Sequence, residues 1–168
     1  NSRANESVSC DVCHTVSGFA GDTPHNFNFV SSPTDGKTKY GPRGTGNSPE
    51  HKIIKSDFLK SADFCGTCHN EMSPFGVWVK STHLEWKEGP YSKEGVQCQN
   101  CHMTQAEGYT AAMGNKYPDA WQHLFHGAHD PGKVKGTIEL RIHPDIREAE
   151  PGETVKFTVA LFNQKTGH

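Results

Sequence analysis

Apolar residues are sparse along this chain, and where they recur they keep one of two periods. Phe58, Leu59, Ala62 and Phe64 follow a rough three-to-four spacing that predicts a helix from Ser56 to Asn70, with Ser56 or Ser61 as its cap. A second helix is predicted from Gly76 to Glu88, ended by Gly89-Pro90. Trp78, Thr82 and Trp86 fall at i, i+4 and i+8 on one of its faces, with Val79 and His83 on the neighbouring face. From Val134 the period becomes two. Ile138, Leu140 and Ile142 alternate with Glu139, Arg141 and His143, and Val155, Phe157, Val159 and Leu161 alternate with Lys156, Thr158 and Ala160. This predicts two half-buried strands joined across residues 144–152. A lone hairpin is marginal in water, so it must pack against something.

Between these stretches neither period holds. Residues 1–9 are polar and read as extended. Residues 17–50 are rich in Gly, Pro, Ser, Thr and Asn, which predicts a long loop. Loops of that length are uncommon in compact domains unless functional. Phe19, Phe27, Phe29 and Tyr40 are its candidate covers for a large apolar group. A second glycine-rich connection follows Met103 and leads to His123-Leu-Phe-His126-Gly-Ala-His129.

Composition sharpens the picture. A chain of 168 residues suits one domain with or without a small appendage. Hydrophobic residues make up 33 % of it and its mean hydropathy is −0.72, too little for a core built of side chains alone. Its net charge of −2 argues against a nucleic-acid partner. No apolar run approaches the roughly 18 residues of a membrane span.

The missing apolar mass has a source in the cysteines. Cys10-Asp-Val-Cys13-His14, Cys65-Gly-Thr-Cys68-His69 and Cys98-Gln-Asn-Cys101-His102 are three copies of C-x-x-C-H, the attachment sequence of c-type haem. Two intervening residues put both sulfurs on one side of a helical turn, where they form thioethers with the haem vinyl groups. The following histidine then lies under the iron as proximal ligand. C-x-x-C alone also suits half a zinc site or a redox dithiol, but neither needs the histidine. With 11 histidines in the chain, three such coincidences have odds of roughly a few in ten thousand. The motifs use all six cysteines. The expectation is three covalent haems c whose macrocycles supply the core, and a chain largely unfolded without them.

Eight histidines remain for three distal positions, a surplus that favours bis-histidine iron over Met/His iron. Bis-histidine ligation lowers the potential and fills both axial sites. His51, His123 and His129 are the first candidates: His51 ends a loop before a haem-bearing helix, and His123 and His129 flank Gly127. His83 and His25 come next. His126 is expected to be exposed and His143 solvated on the polar strand face, and terminal His168 receives no role.

The segments VSCDVCH, KYGP, SADFCGTCHNE, EWKEGPYSKEGVQCQNCHM and HLFHGAHD, with the final Gly-His, resemble multihaem c-type cytochromes. The likeness is to the tetrahaem cytochrome of nitrifying bacteria and to extracellular filament-forming cytochromes, and it covers most of residues 8–168. It implies iron ligation at the positions of His51, His123 and His129. It also implies an extra ligand at His83, where such proteins often carry an aromatic residue, and a fourth haem bound with a neighbouring chain's help.

The expected fold is mainly loops and short α-helices wrapped around three haems over residues 1–132, with a β-hairpin or partial β-sandwich module over 133–168. The expected function is electron transfer, with other cytochromes or redox proteins as partners and with a homo-oligomer or filament as an assembled form. Haem attachment occurs outside the cytoplasmic membrane, which implies a periplasmic or extracellular protein whose leader has been removed, or a mature or partial chain. The rival is a reductase of a small nitrogen or sulfur compound at a five-coordinate haem, with His83, His25 or His126 as proton donors.

Overall fold

The computed structural model describes residues 8–31, 36–44, 48–111 and 113–168, so the predicted extended start lies mostly outside the described residues. The chain divides into two compact units. One runs to Phe125 and includes His168; the other is His126–Gly167.

In the first unit each C-x-x-C-H motif is a short helix. The elements in order are α1 (Cys10–Thr15), β1 (Val16–Phe19), β2 (Phe29–Ser31), β3 (Thr38–Gly41) and β4 (Lys52–Lys55). A 3₁₀ turn (Asp57–Lys60) leads into α2 (Ala62–His69), β5 (Asn70–Met72) and β6 (Trp78–Ser81). Then come α3 (Thr82–Glu88), α4 (Pro90–Lys93), α5 (Cys98–His102), β7 (Gln105–Tyr109) and β8 (Lys116–Trp121). The motif helices α1, α2 and α5 have 6, 8 and 5 residues, far below the roughly 12–15 an isolated helix needs. Tertiary partners must hold them.

Two predicted helices are shorter than their patterns. The first is broken at Ser61, whose extended backbone (φ −86°, ψ 147°) separates the 3₁₀ turn from α2. There the Ser61 hydroxyl accepts from the Asp63 N–H at 3.0 Å as an N-cap. The second begins only at Thr82, because Trp78–Ser81 pairs antiparallel with Asn70–Met72 instead. The reversal is local: the Ser73 hydroxyl accepts from the Phe75 and Val77 N–H groups, and Gly76 takes the left-handed φ of 77° that a side chain would resist. The predicted loop 17–50 carries β2 and β3, of which β2 pairs antiparallel with β1 and β3 pairs parallel with β4 beyond the loop's end. A further antiparallel pair, β7 with β8, fills the connection after Met103.

Among the described residues only Val16, Ala62 and Ala120 are buried hydrophobics, whereas Thr67, Asn70, His83 and Gln99 are buried and polar. Side chains alone therefore make almost no apolar core, as the composition required. Phe27 and Phe29, expected as covers, are exposed.

The second unit holds α6 (Pro131–Val134) and the antiparallel pair β9 (Ile138–Pro144) and β10 (Phe157–Asn163). Leu140 faces Leu161 and Ile142 faces Val159, so these four side chains share one sheet face, and all are exposed. On the other face Arg141 lies over the Phe162 ring at 4.7 Å and pairs with Glu139 at 2.6 Å. Among the described residues no helix is long and apolar enough to cross a membrane.

Candidate functional site

The six cysteines form no disulfide with one another. The Cys65 thiol is pushed up by a hydrogen bond with Cys98 and by burial, and the same hydrogen bond pulls Cys98 down. Burial raises Cys13, and the neighbouring Cys68 and Cys10 raise it further. Cys65 of the second motif thus lies within electrostatic reach of Cys13 of the first and of Cys98 of the third. Polar side chains fasten the third motif to the second. The Gln97 side chain accepts from the Ala62 N–H at 2.7 Å, and Gln99 Nε2 donates to the Leu59 and Ser61 carbonyls, each at 2.9 Å. Gln97 and Asn100 also close a reciprocal capping box at the start of α5. Sequence reasoning passed over both glutamines; no pattern in the chain marks them.

The first motif opens onto an apolar groove. Cys13 and His14 line it with Phe64, Met103, Trp121 and His123. His14 Nδ1 lies 2.7 Å from the Tyr40 carbonyl, so the ring donates there and leaves the Nε2 lone pair for a metal. The His14 and His123 ring centres are 6.2 Å apart with planes tilted by 37°. A nitrogen–metal bond of about 2 Å, the length zinc takes, and a ring radius of about 1.1 Å put two imidazoles on opposite faces of one metal ion about 6.2 Å apart. Desolvation and the nearby His14 hold His123 below the usual histidine range, while a hydrogen bond to the Trp121 backbone pulls it back. A neutral ring is the ligating form. The donor set, the spacing and the apolar walls fit a haem in this groove.

His102 has a ring partner too. The His168 ring centre lies 5.9 Å away at a tilt of 32°. Desolvation and then His102 lower the His168 pKa, opposed by Glu85. His69 is lowered by desolvation, then by Lys80, His102 and His168.

The remaining candidates are not brought to a motif histidine. His83 is 1 % exposed and has both ring nitrogens engaged: Nε2 on Asp63 Oδ1 at 2.9 Å and Nδ1 facing the Asn70 amide at 3.4 Å. It packs behind α2 against Gly66, under the Trp86 ring at 5.3 Å. Protein groups thus engage both nitrogens of this imidazole. Asn70 completes the cluster, its Oδ1 accepting from the His83 N–H at 3.0 Å and its Nδ2 donating to the Pro24 carbonyl at 3.0 Å. His25 Nδ1 accepts from the Phe27 N–H at 3.2 Å, and the ring meets Trp78 edge-on at 5.9 Å. His51 Nδ1 is buried without a hydrogen-bond partner among the described residues. His129 is exposed in the second unit. There His126, expected to be exposed, is half-buried and pairs with Asp130 at 2.7 Å, while His143 is exposed on β9. Among the described residues no three His, Cys, Asp or Glu side chains converge on one metal position.

No family model matches the sequence, and no curated protein does. Among solved structures the chain is similar to a penta-heme cytochrome c552 from Thermochromatium tepidum, with a TM-score of 0.55 and 20 % identity. The likeness covers 93 % of this chain and 43 % of that one. The fold is multihaem cytochrome-like. The chain spans less than half the length of that cytochrome. A cytochrome-like fold accounts for helices too short to stand alone and for a core with almost no buried hydrophobic side chains.

Proposed function

We propose that this protein is an electron-transfer cytochrome carrying three haems c, attached at Cys10/Cys13, Cys65/Cys68 and Cys98/Cys101, with His14, His69 and His102 as proximal ligands. The observation that carries the reading is the His14–His123 pair, set at the separation of two axial imidazoles across an apolar groove that also holds Cys13. His123 is its distal ligand. The haem, when bound, supplies one-electron chemistry at its iron. The chain supplies the rest: the Tyr40 carbonyl orients His14, the groove offers mainly apolar walls, and Cys65 of the second motif stands near Cys13 of the first and Cys98 of the third. His51 and His129 remain distal candidates of this reading. The unpartnered buried Nδ1 supports His51.

The resemblance of the motifs supports a periplasmic or extracellular location, with other redox proteins as partners. The exposed apolar face of β9 and β10 supports assembly with further copies.

The rival reading draws on His69, beside which the described residues set no stacked ring. A haem there with one open axial position would reduce a small nitrogen or sulfur compound. Carbon monoxide decides between them, because it binds reduced haem only where an axial position is open. Electron transfer through three six-coordinate haems predicts an unchanged spectrum of the reduced holoprotein under carbon monoxide. A shifted band, with turnover of nitrite or hydroxylamine, would establish the reductase instead.

A further inference from the structure

The residue that the sequence left without a role is held against the third motif. We propose that His168 is the distal axial ligand of the iron carried by Cys98, Cys101 and His102, an inference that rests on the reading of this chain as a three-haem cytochrome. His168 is separated from His102 by the whole of the second unit in sequence, yet it belongs with the first unit in space. The two ring centres are 5.9 Å apart and tilted by 32°, against 6.2 Å and 37° for His14 and His123. Two C-x-x-C-H histidines on different helices thus face a second imidazole in nearly the same geometry. Each separation matches, to within a few tenths of an ångström, the roughly 6.2 Å that two metal–imidazole bonds require.

The alternatives for His102 are weaker. Met103 follows it directly and cannot reach the opposite face of the same haem. His83 is committed to Asp63 and Asn70. Simple packing of two aromatic rings also occurs at 4.5–7 Å, so the test must read the iron itself.

The holoprotein is compared with His168→Ala and His168→Met, all matured in a host that attaches haem c. Haem per chain is counted by pyridine haemochrome, spin state is read by electron paramagnetic resonance, and potentials by redox titration. With three haems present, His168→Ala is expected to convert one iron of the three from low to high spin, and added imidazole to restore it. His168→Met is expected to keep that iron low-spin while raising its potential, as Met/His ligation does; a packing role would move neither. His123→Ala should convert a different iron, so the double variant carries two high-spin irons. Three low-spin irons in His168→Ala at full haem content would overturn the assignment and leave the three-haem reading intact. A wild-type protein without three haems would instead remove the reading beneath it.

Discussion

His14 and His123 face each other across the groove beside Cys13 with ring centres 6.2 Å apart, and His14 is steered into place by its 2.7 Å contact with the Tyr40 carbonyl. The carbonyl fixes the tautomer, which leaves Nε2 as the only ligating nitrogen. Replacing His123 with alanine should therefore produce one high-spin ferric iron while haem content stays unchanged. Replacing it with methionine should restore low spin at a higher potential. An unaltered resonance spectrum in His123→Ala would show that another residue ligates this iron.

His83 is predicted to act on stability, not on iron. Burial first, and Lys87 to a lesser degree, hold its pKa below the ordinary 6.5 against the pull of Asp63. The folded ring is therefore neutral where an unfolded one would already be protonated. On acidification the unfolded chain takes up the proton first, so His83 contributes stability above about pH 6.5 that is lost as the pH falls toward the folded value. In His83→Gln that part of the acid sensitivity should vanish, and the low-spin iron count should match wild type. Parallel stability–pH curves for the two proteins, or a new high-spin signal in the variant, would reject this role.

Gly66 sits where α2 meets the His83 cluster. A Cβ there would lie 2.7 Å from Pro24 Cγ and 2.9 Å from His83 Cγ, closer than packed atoms tolerate. Gly66→Ala should cost about 1–3 kcal/mol by overpacking, read as a lowered thermal midpoint of the holoprotein. Full stability would mean that α2 has room to shift.

Gln99 is 3 % exposed and spends its amide on two carbonyls of the segment before α2. Gln99→Leu fills a similar volume but takes the donor from the Leu59 carbonyl and leaves the Ser61 carbonyl only the Phe64 N–H, at about 1–3 kcal/mol. Chemical denaturation of the holoprotein should show the loss, with haem content unaltered because both flanking cysteines remain. An equal midpoint would mean that water or a small rearrangement satisfies the Leu59 carbonyl.

The motif helices and the period-two alternation near the C-terminus are legible in the sequence because each is set by residues close together in the chain. Pairings between distant segments are not. Trp78–Ser81 has a respectable helical pattern, yet it forms a strand because Asn70–Met72 offers it a ladder and Ser73 and Gly76 make the turn. His168 shows the same limit at the candidate site. It stands beyond a β-rich segment, and nothing in its flanks announces the return to His102. The small sheets formed by β1 to β4 are not legible because glycine, proline and serine mask strands of three or four residues. The hydrogen-bond cluster around His83 is not legible either, because an isolated histidine beside tryptophans looks the same in sequence whether it serves a metal or a buried polar cluster.

The central claim is that tetrapyrroles attached at three motifs stand in for a core that side chains do not make. Intact-mass analysis of the denatured, mature protein, combined with pyridine haemochrome, measures this directly. The account predicts the chain mass plus three haems, with every cysteine consumed as a thioether. A mass without added haem, free thiols at any motif, or zinc recovered in place of iron would contradict it.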